Sequence, residues 1–160
     1  MKRINLGHGK YAKVDDEDYS YLSEFRWSCV DGYAVRSEYV SRAGGRQRNR
    51  HIRMHRAILS APVGLEVDHI NRDRLDNRKR NLRLCSHGEN QRNGSIRRDN
   101  TSGYVGVTYH RPRGTWQARL RFSGKRVTIG YFSSPTDAAK ARDAYIDSIK
   151  DEFATRSFAA

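Results

Sequence analysis

The sequence predicts an α+β protein: a β-rich N-terminal segment, a ββα unit after it, and a small three-stranded antiparallel sheet packed on one helix at the end. Three observations lead there. Short apolar–polar alternations separated by turn residues outnumber helical patterns. Two capping signatures, Ser86-His87-Gly88-Glu89 and Ser134-Pro135-Thr136-Asp137, each open a helix after a run of strands. Between them, residues 94–102 have linker composition. Two small domains follow from this, residues 1–93 and 103–160, joined by 94–102.

The elements can be taken in order. In the first 60 residues Tyr19, Tyr21, Phe25 and Trp27 stand among alternating polar residues, so strands are expected. Tyr33-Ala34-Val35 follows Asp31-Gly32, a hairpin dipeptide. Residues 41–50 carry four arginines and no acid, which reads as a flexible basic loop. Residues 55–59 form a turn of helix, halted by Ala61-Pro62. Residues 65–69 and 81–85 alternate like strands around a polar loop, and a helix runs from Ser86 to about Asn93. Past the linker, strands are expected at 104–109, 116–122 and 126–131. The last helix places Ala138, Ala141, Tyr145 and Ile149 on one face.

Composition narrows the function. Thirty-one Lys+Arg oppose 18 Asp+Glu, a net charge of +13 spread over the whole chain. A polyanionic partner is expected, nucleic acid first. No apolar run approaches the roughly 18 residues of a membrane span. The N-terminus turns polar too early for a signal peptide. Cys29 and Cys85 form no C-x-x-C pair, so neither a disulfide framework nor a structural zinc is expected; His51 and His55 lack thiolate partners for one.

The chemistry gathers at Asp68 and His69, adjacent at the end of an expected strand, with Asn90 one turn into the next helix. A carboxylate and an amide oxygen are hard ligands suited to magnesium or manganese. A neutral imidazole beside that metal can take a proton from water. Phosphodiester hydrolysis needs both roles. Strand alternation would send Asp68 and His69 to opposite faces, so a bend is expected there.

The runs Val67-Asp68-His69-Ile70-Asn71, Asp76-Asn77-Arg78, Asn81-Leu82-Arg83 and Glu89-Asn90-Gln91-Arg92-Asn93 resemble the HNH endonuclease family. They are most similar to its phage and intron-borne homing branch, which ends its motif on asparagine and lacks the paired C-x-x-C of other members. The resemblance implies His69 as general base, Asp68 and Asn90 as ligands of one divalent metal, Mg or Mn, and Asn81 as the residue holding the loop that presents the histidine. Asn77, Asn93 and His55 match further family positions; a packed helical histidine explains His55 equally well.

In the last region six Lys/Arg and no acid lie between Thr101 and Ser134. Alternation puts Trp116, Ala118, Leu120 and Phe122 on one strand face, against the helix, and Gln117, Arg119 and Arg121 on the other. Tyr104, Gly106-Val107, Arg111-Pro112, Gly114, Trp116, Ala118, Arg121, Gly130, Phe132, Ala138-Ala139, Tyr145 and Phe158 resemble the Apetala-two/ethylene-response-factor DNA-binding domain. That family lays its sheet in the DNA major groove, which implies DNA contacts by Arg113, Arg119, Arg121 and Arg126. Thr128 and Arg119 replace the tryptophan and glutamate common in plant members, so their sequence preference does not carry over.

Together these readings predict a site-directed DNA endonuclease of homing type that nicks double-stranded DNA as a monomer, a dimer being the alternative. The resemblance implies a phage or mobile-element protein acting in the bacterial cytoplasm. A DNA-binding regulator or architectural protein with a vestigial nuclease module is the rival reading. An RNA-binding protein is a weaker one, since no stacking-aromatic motif of the common RNA modules is present.

Overall fold

β1 (Lys2–Asn5) and β2 (Tyr11–Val14) pair as an antiparallel hairpin at the start of the chain. The computed structural model describes residues 1–40 and 48–158 and divides into two compact units, Met1–Ser86 and His87–Ala160.

In the first unit α1 (Asp16–Ser23) occupies ground where strands are expected from the alternating aromatics. Its first turn holds Asp16, Glu17 and Asp18, carboxylates that favour a helix N-terminus. Leu22 is fully buried, and Tyr21 meets Phe25 edge-on one turn later. Helical spacing, not the alternation, is the pattern that governs here.

β3 (Ser28–Val30) and β4 (Tyr33–Val40) form the expected hairpin, with Asp31 at φ 50° and Gly32 at φ 81°. Consecutive positive φ values are what a two-residue hairpin turn requires. β5 (Arg48–Arg53) completes this sheet in the order β3-β4-β5. Residues 48–50, expected in a loop, are therefore strand; the rest of the arginine-rich stretch, 41–47, lies outside the described residues. α2 (Met54–Ile58) follows directly. Ile4, Leu6, Ala12, Val14, Leu22, Trp27, Ala34 and Met54 make the core, and the Trp27 indole donates to the Leu22 carbonyl at 2.7 Å. β6 (Glu66–His69) and β7 (Leu82–Cys85) form a separate two-stranded ladder.

In the second unit α3 (His87–Arg92) precedes β8 (Val107–His110), β9 (Thr115–Phe122) and β10 (Lys125–Phe132), a sheet in the order β10-β9-β8. α4 (Pro135–Ser148) packs on one face. The sequence places the domain boundary within 94–102, yet α3 groups with this unit. Arg92 pairs with buried Asp151 at 2.9 Å, and Thr155 bonds the carbonyls of Arg92 and Gly94.

β9 divides as alternation predicts: Trp116, Ala118, Leu120 and Phe122 pack toward α4. Ser134 caps α4, its hydroxyl accepting from the Asp137 amide at 3.1 Å with Pro135 in the first turn. Two expectations are corrected. The buried stripe of α4 is Ala138, Ala139, Arg142, Asp143 and Ile146, while Tyr145 and Ile149 flank it half-buried. Charged residues fill core positions because each has a backbone partner: Arg142 donates to the Thr155 carbonyl, and Asp143 accepts from the Ser157 and Phe158 amides. The first strand begins at Val107, not Tyr104, because Gly106 turns the chain at φ 73° beneath the Arg142 side chain.

Candidate active site

The hairpin of β6 and β7 positions the central residues. Asp68 stands opposite Arg83 and His69 opposite Leu82, and pairing continues through His69. The chain bends only afterwards, with Arg72 at φ 64°, so the bend expected at Asp68–His69 lies further on. Alternation therefore sends the two side chains to opposite faces.

Both are buried, at 5% exposure each. Asp68 Oδ2 accepts from Arg83 Nε at 2.8 Å and from a second Arg83 nitrogen at 2.7 Å. His69 Nε2 lies 3.3 Å from Asn77 Oδ1. An amide oxygen only accepts, so Nε2 carries the hydrogen and the neutral ring keeps its lone pair on Nδ1. Burial holds this imidazole below its ordinary pKa, opposed by the Asn77 bond and by the carboxylates of Asp68, Asp73 and Asp76. The ring is therefore neutral near pH 7.

The loop between the strands is a buried polar cluster. Asn81 accepts from the Asn71 amide at 3.0 Å and donates to the Asp76 carbonyl at 2.8 Å, closing the loop end to end. Asp76, 1% exposed, accepts from Arg78 and Asn71, and the Arg78 contacts hold its carboxyl below the usual carboxylate range. Lys13 of β2 receives the Asn77 amide and donates its own to the Leu75 carbonyl, strapping the loop to the first hairpin.

On the histidine side, His55 and His69 meet edge-on at 5.0 Å, and the Tyr33 ring lies 5.3 Å from His55 and 6.1 Å from His69. Arg53 and Arg74 each place a guanidinium within 5 Å of the Tyr33 ring centre, at 4.8 and 4.6 Å. His55 is 3% exposed, and burial, with charge from His69, Arg53 and Arg56, lowers its pKa to about 3. It is a packed, neutral ring. Tyr33 and Arg74 escape the sequence reading, while Asp76 and Arg83 stand in the quoted runs without a role assigned to them. Arg83 leaves a further signal, as the residue an antiparallel ladder sets across from Asp68.

Asn90 sits half-buried on α3 in the second unit, so its place relative to Asp68 rests on sequence spacing. Among the described residues no group of three or more His, Cys, Asp or Glu is placed to hold a metal ion. One carboxylate with an amide, waters and a substrate phosphate is the donor set that magnesium favours, and Asp68 fits it. In the second unit Arg119 and Arg121 lie on the sheet face away from α4, with Arg121 directly opposite Arg126, while Arg113 stacks over Tyr131 at 4.3 Å.

Residues 60–92 match the family model described as HNH endonuclease, a span that begins before β6 and ends with α3. This stretch is similar to the HNH endonuclease family. The matched stretch contains Asp68, His69, Asn77, Asn81 and Asn90. The chain is also similar to Protein 3.8 of Escherichia phage T7, at 33% identity over 78 residues, 48% of this chain and 64% of that protein. The match thus spans less than two thirds of the relative. No solved structure matches the chain.

Proposed function

We propose that the chain is a metal-dependent DNA endonuclease of the homing type, whose HNH segment nicks one strand of duplex DNA and whose second unit holds the DNA. The observation that carries this reading is the state of His69: a buried neutral ring with Nε2 committed to Asn77, next in the chain to Asp68, a buried carboxylate on the other face of the same strand. Nδ1 is then the nitrogen that takes the proton from the attacking water as its oxygen bonds to phosphorus and the bond from phosphorus to the leaving oxygen breaks, that oxygen keeping the electron pair. Asp68 and Asn90 are the metal ligands in this reading, Arg83 orienting the Asp68 carboxylate. The metal, Mg or Mn, would supply charge stabilisation at the leaving oxygen. Asn81 acts at one remove, closing the loop that carries Asn77 to His69.

The second unit enters as a sheet of the Apetala-two type, with Arg113, Arg119, Arg121 and Arg126 against DNA. Its support is the acid-free run between Thr101 and Ser134 and the outward placement of Arg119, Arg121 and Arg126. A monomeric phage or mobile-element enzyme working in the host cytoplasm completes the proposal.

Plasmid nicking tests it. The wild-type chain should nick supercoiled plasmid with Mg or Mn and stop with EDTA. His69→Ala and Asp68→Ala should each lower the rate by at least about a hundredfold, in the range general base catalysis supplies, with DNA affinity little changed. Asn90→Ala should slow cleavage less, with partial rescue by excess Mn. Wild-type nicking by His69→Ala would remove the base. Metal-independent DNA binding with no cleavage by any variant would favour a regulator with a vestigial module.

A further inference from the structure

Within the second unit a cleft of about 530 Å³ is lined by Gly88, Gln91, Arg92, Arg97, Arg119, Arg121 and Arg126. Five of its seven lining residues are arginines and none is acidic. One of them, Arg92, is spoken for: Asp151, itself 4% exposed, sits 2.9 Å from its Nε. Among the described residues none of Arg97, Arg119, Arg121 and Arg126 has an acidic partner within 4.0 Å. Arg121 and Arg126 face each other directly across β9 and β10, where like charges destabilise a sheet. Arg97 arrives from the linker and adds a further positive charge to the same space. Net charge of one sign, crowded into a walled cleft, costs stability in the free protein and favours an anion.

The other half of the same sheet face differs. Gln117 donates to the Tyr131 hydroxyl at 3.1 Å, and Tyr131 meets His110 edge-on while Arg113 covers its ring. Those groups are amide and aromatic, with a single guanidinium stacked in place.

We propose that the cleft seats a DNA backbone phosphate, so that Arg97, Arg119, Arg121 and Arg126 grip DNA without reading bases. The proposal rests on the reading that the chain acts on DNA, and it deepens that reading in two ways. It adds Arg97, a linker residue, to the DNA-holding set. It makes the sheet arginines phosphate ligands, whose contribution is blind to sequence.

The test is a salt titration of duplex binding by the full-length protein, without divalent metal, on two duplexes of unrelated sequence. Each phosphate contact contributes about 0.9 to the slope of log affinity against log salt. Arg97→Ala and Arg126→Ala should each flatten the slope by about that amount and weaken binding by the same factor on both duplexes. Arg126→Lys, which keeps the charge, should keep the slope, and Arg111→Ala, exposed and outside the cleft, should leave it unmoved. Thermal unfolding of Arg126→Ala without DNA should rise or hold, because the opposed pair is relieved; a lowered midpoint would mean that Arg126 is structural. Wild-type slopes in both alanine variants would overturn the proposal, and so would a loss confined to one duplex. Failure of the wild-type chain to bind either duplex at low salt would remove the DNA reading itself, a result distinct from binding that ignores the cleft.

Discussion

His55 and His69 share a contact and differ in use. His69 keeps a hydrogen-bond partner and carboxylates nearby; His55 has a buried ring edge-on to two others and two arginines close in sequence. The sign of the pH effect of His55 follows from its shift. Unfolded, the imidazole protonates near 6.5; folded, only near 3. Between those values the unfolded chain binds more protons, so the contribution is whole above pH 6.5 and is lost as pH falls toward 3. At about 1.4 kcal/mol per pH unit, the full effect is on the order of 5 kcal/mol. Replacing His55 by Phe keeps an aromatic ring and removes the titration. Urea unfolding at pH 7 and pH 4.5 should then show a smaller acid loss in His55→Phe than in wild type. Equal losses would place the acid sensitivity elsewhere.

Among the elements, α4 and its neighbours give sharp expectations. Ser134→Ala removes the bond to the Asp137 amide and should cost about 1 kcal/mol. Gly106→Ala is more severe: a Cβ there would lie 2.5 Å from Arg142 Nε and 2.6 Å from the Arg119 carbonyl, at φ 73°. Crowding and backbone strain together should cost about 3 kcal/mol. Denaturant unfolding followed by circular dichroism measures both, and a Gly106→Ala loss no greater than that of Ser134→Ala would contradict the close packing. The β6–β7 ladder, β9, β10 and the Ser134 cap were legible in the sequence because alternation and capping are local patterns. α1 was not, since Tyr19 and Tyr21 mimic a strand while only Leu22 is buried outright. Arg142 and Asp143 were hidden because their backbone partners lie in the C-terminal tail. At the site, Asp68, His69 and Asn81 stand close in one short stretch and could be picked out. Tyr33 and Arg97 could not, because nothing local marks a residue that reaches its neighbours through the fold.

Across the whole molecule, the charge of +13 is distributed over both units, yet its local pairing differs. In the first unit Lys13, Arg78, Lys79 and Arg83 are each set against a carboxylate. In the second, among the described residues, the sheet arginines are not, and the salt response of the proposed DNA contact would arise there. The HNH match runs from the first unit into α3, so residues of one family segment are shared between two cores that the chain builds separately.

The protein's two tryptophans are divided the same way, Trp27 in the core of the first unit and Trp116 against α4 in the second. The consequence is spectroscopic. Each unit contains one intrinsic fluorophore, so Trp27→Phe yields a chain whose emission reports the second unit, and Trp116→Phe one that reports the first. Gly106→Ala should shift the fluorescence melting curve in the Trp27→Phe background and leave that in the Trp116→Phe background in place. Equal shifts in both backgrounds would mean that the two cores melt as one cooperative body.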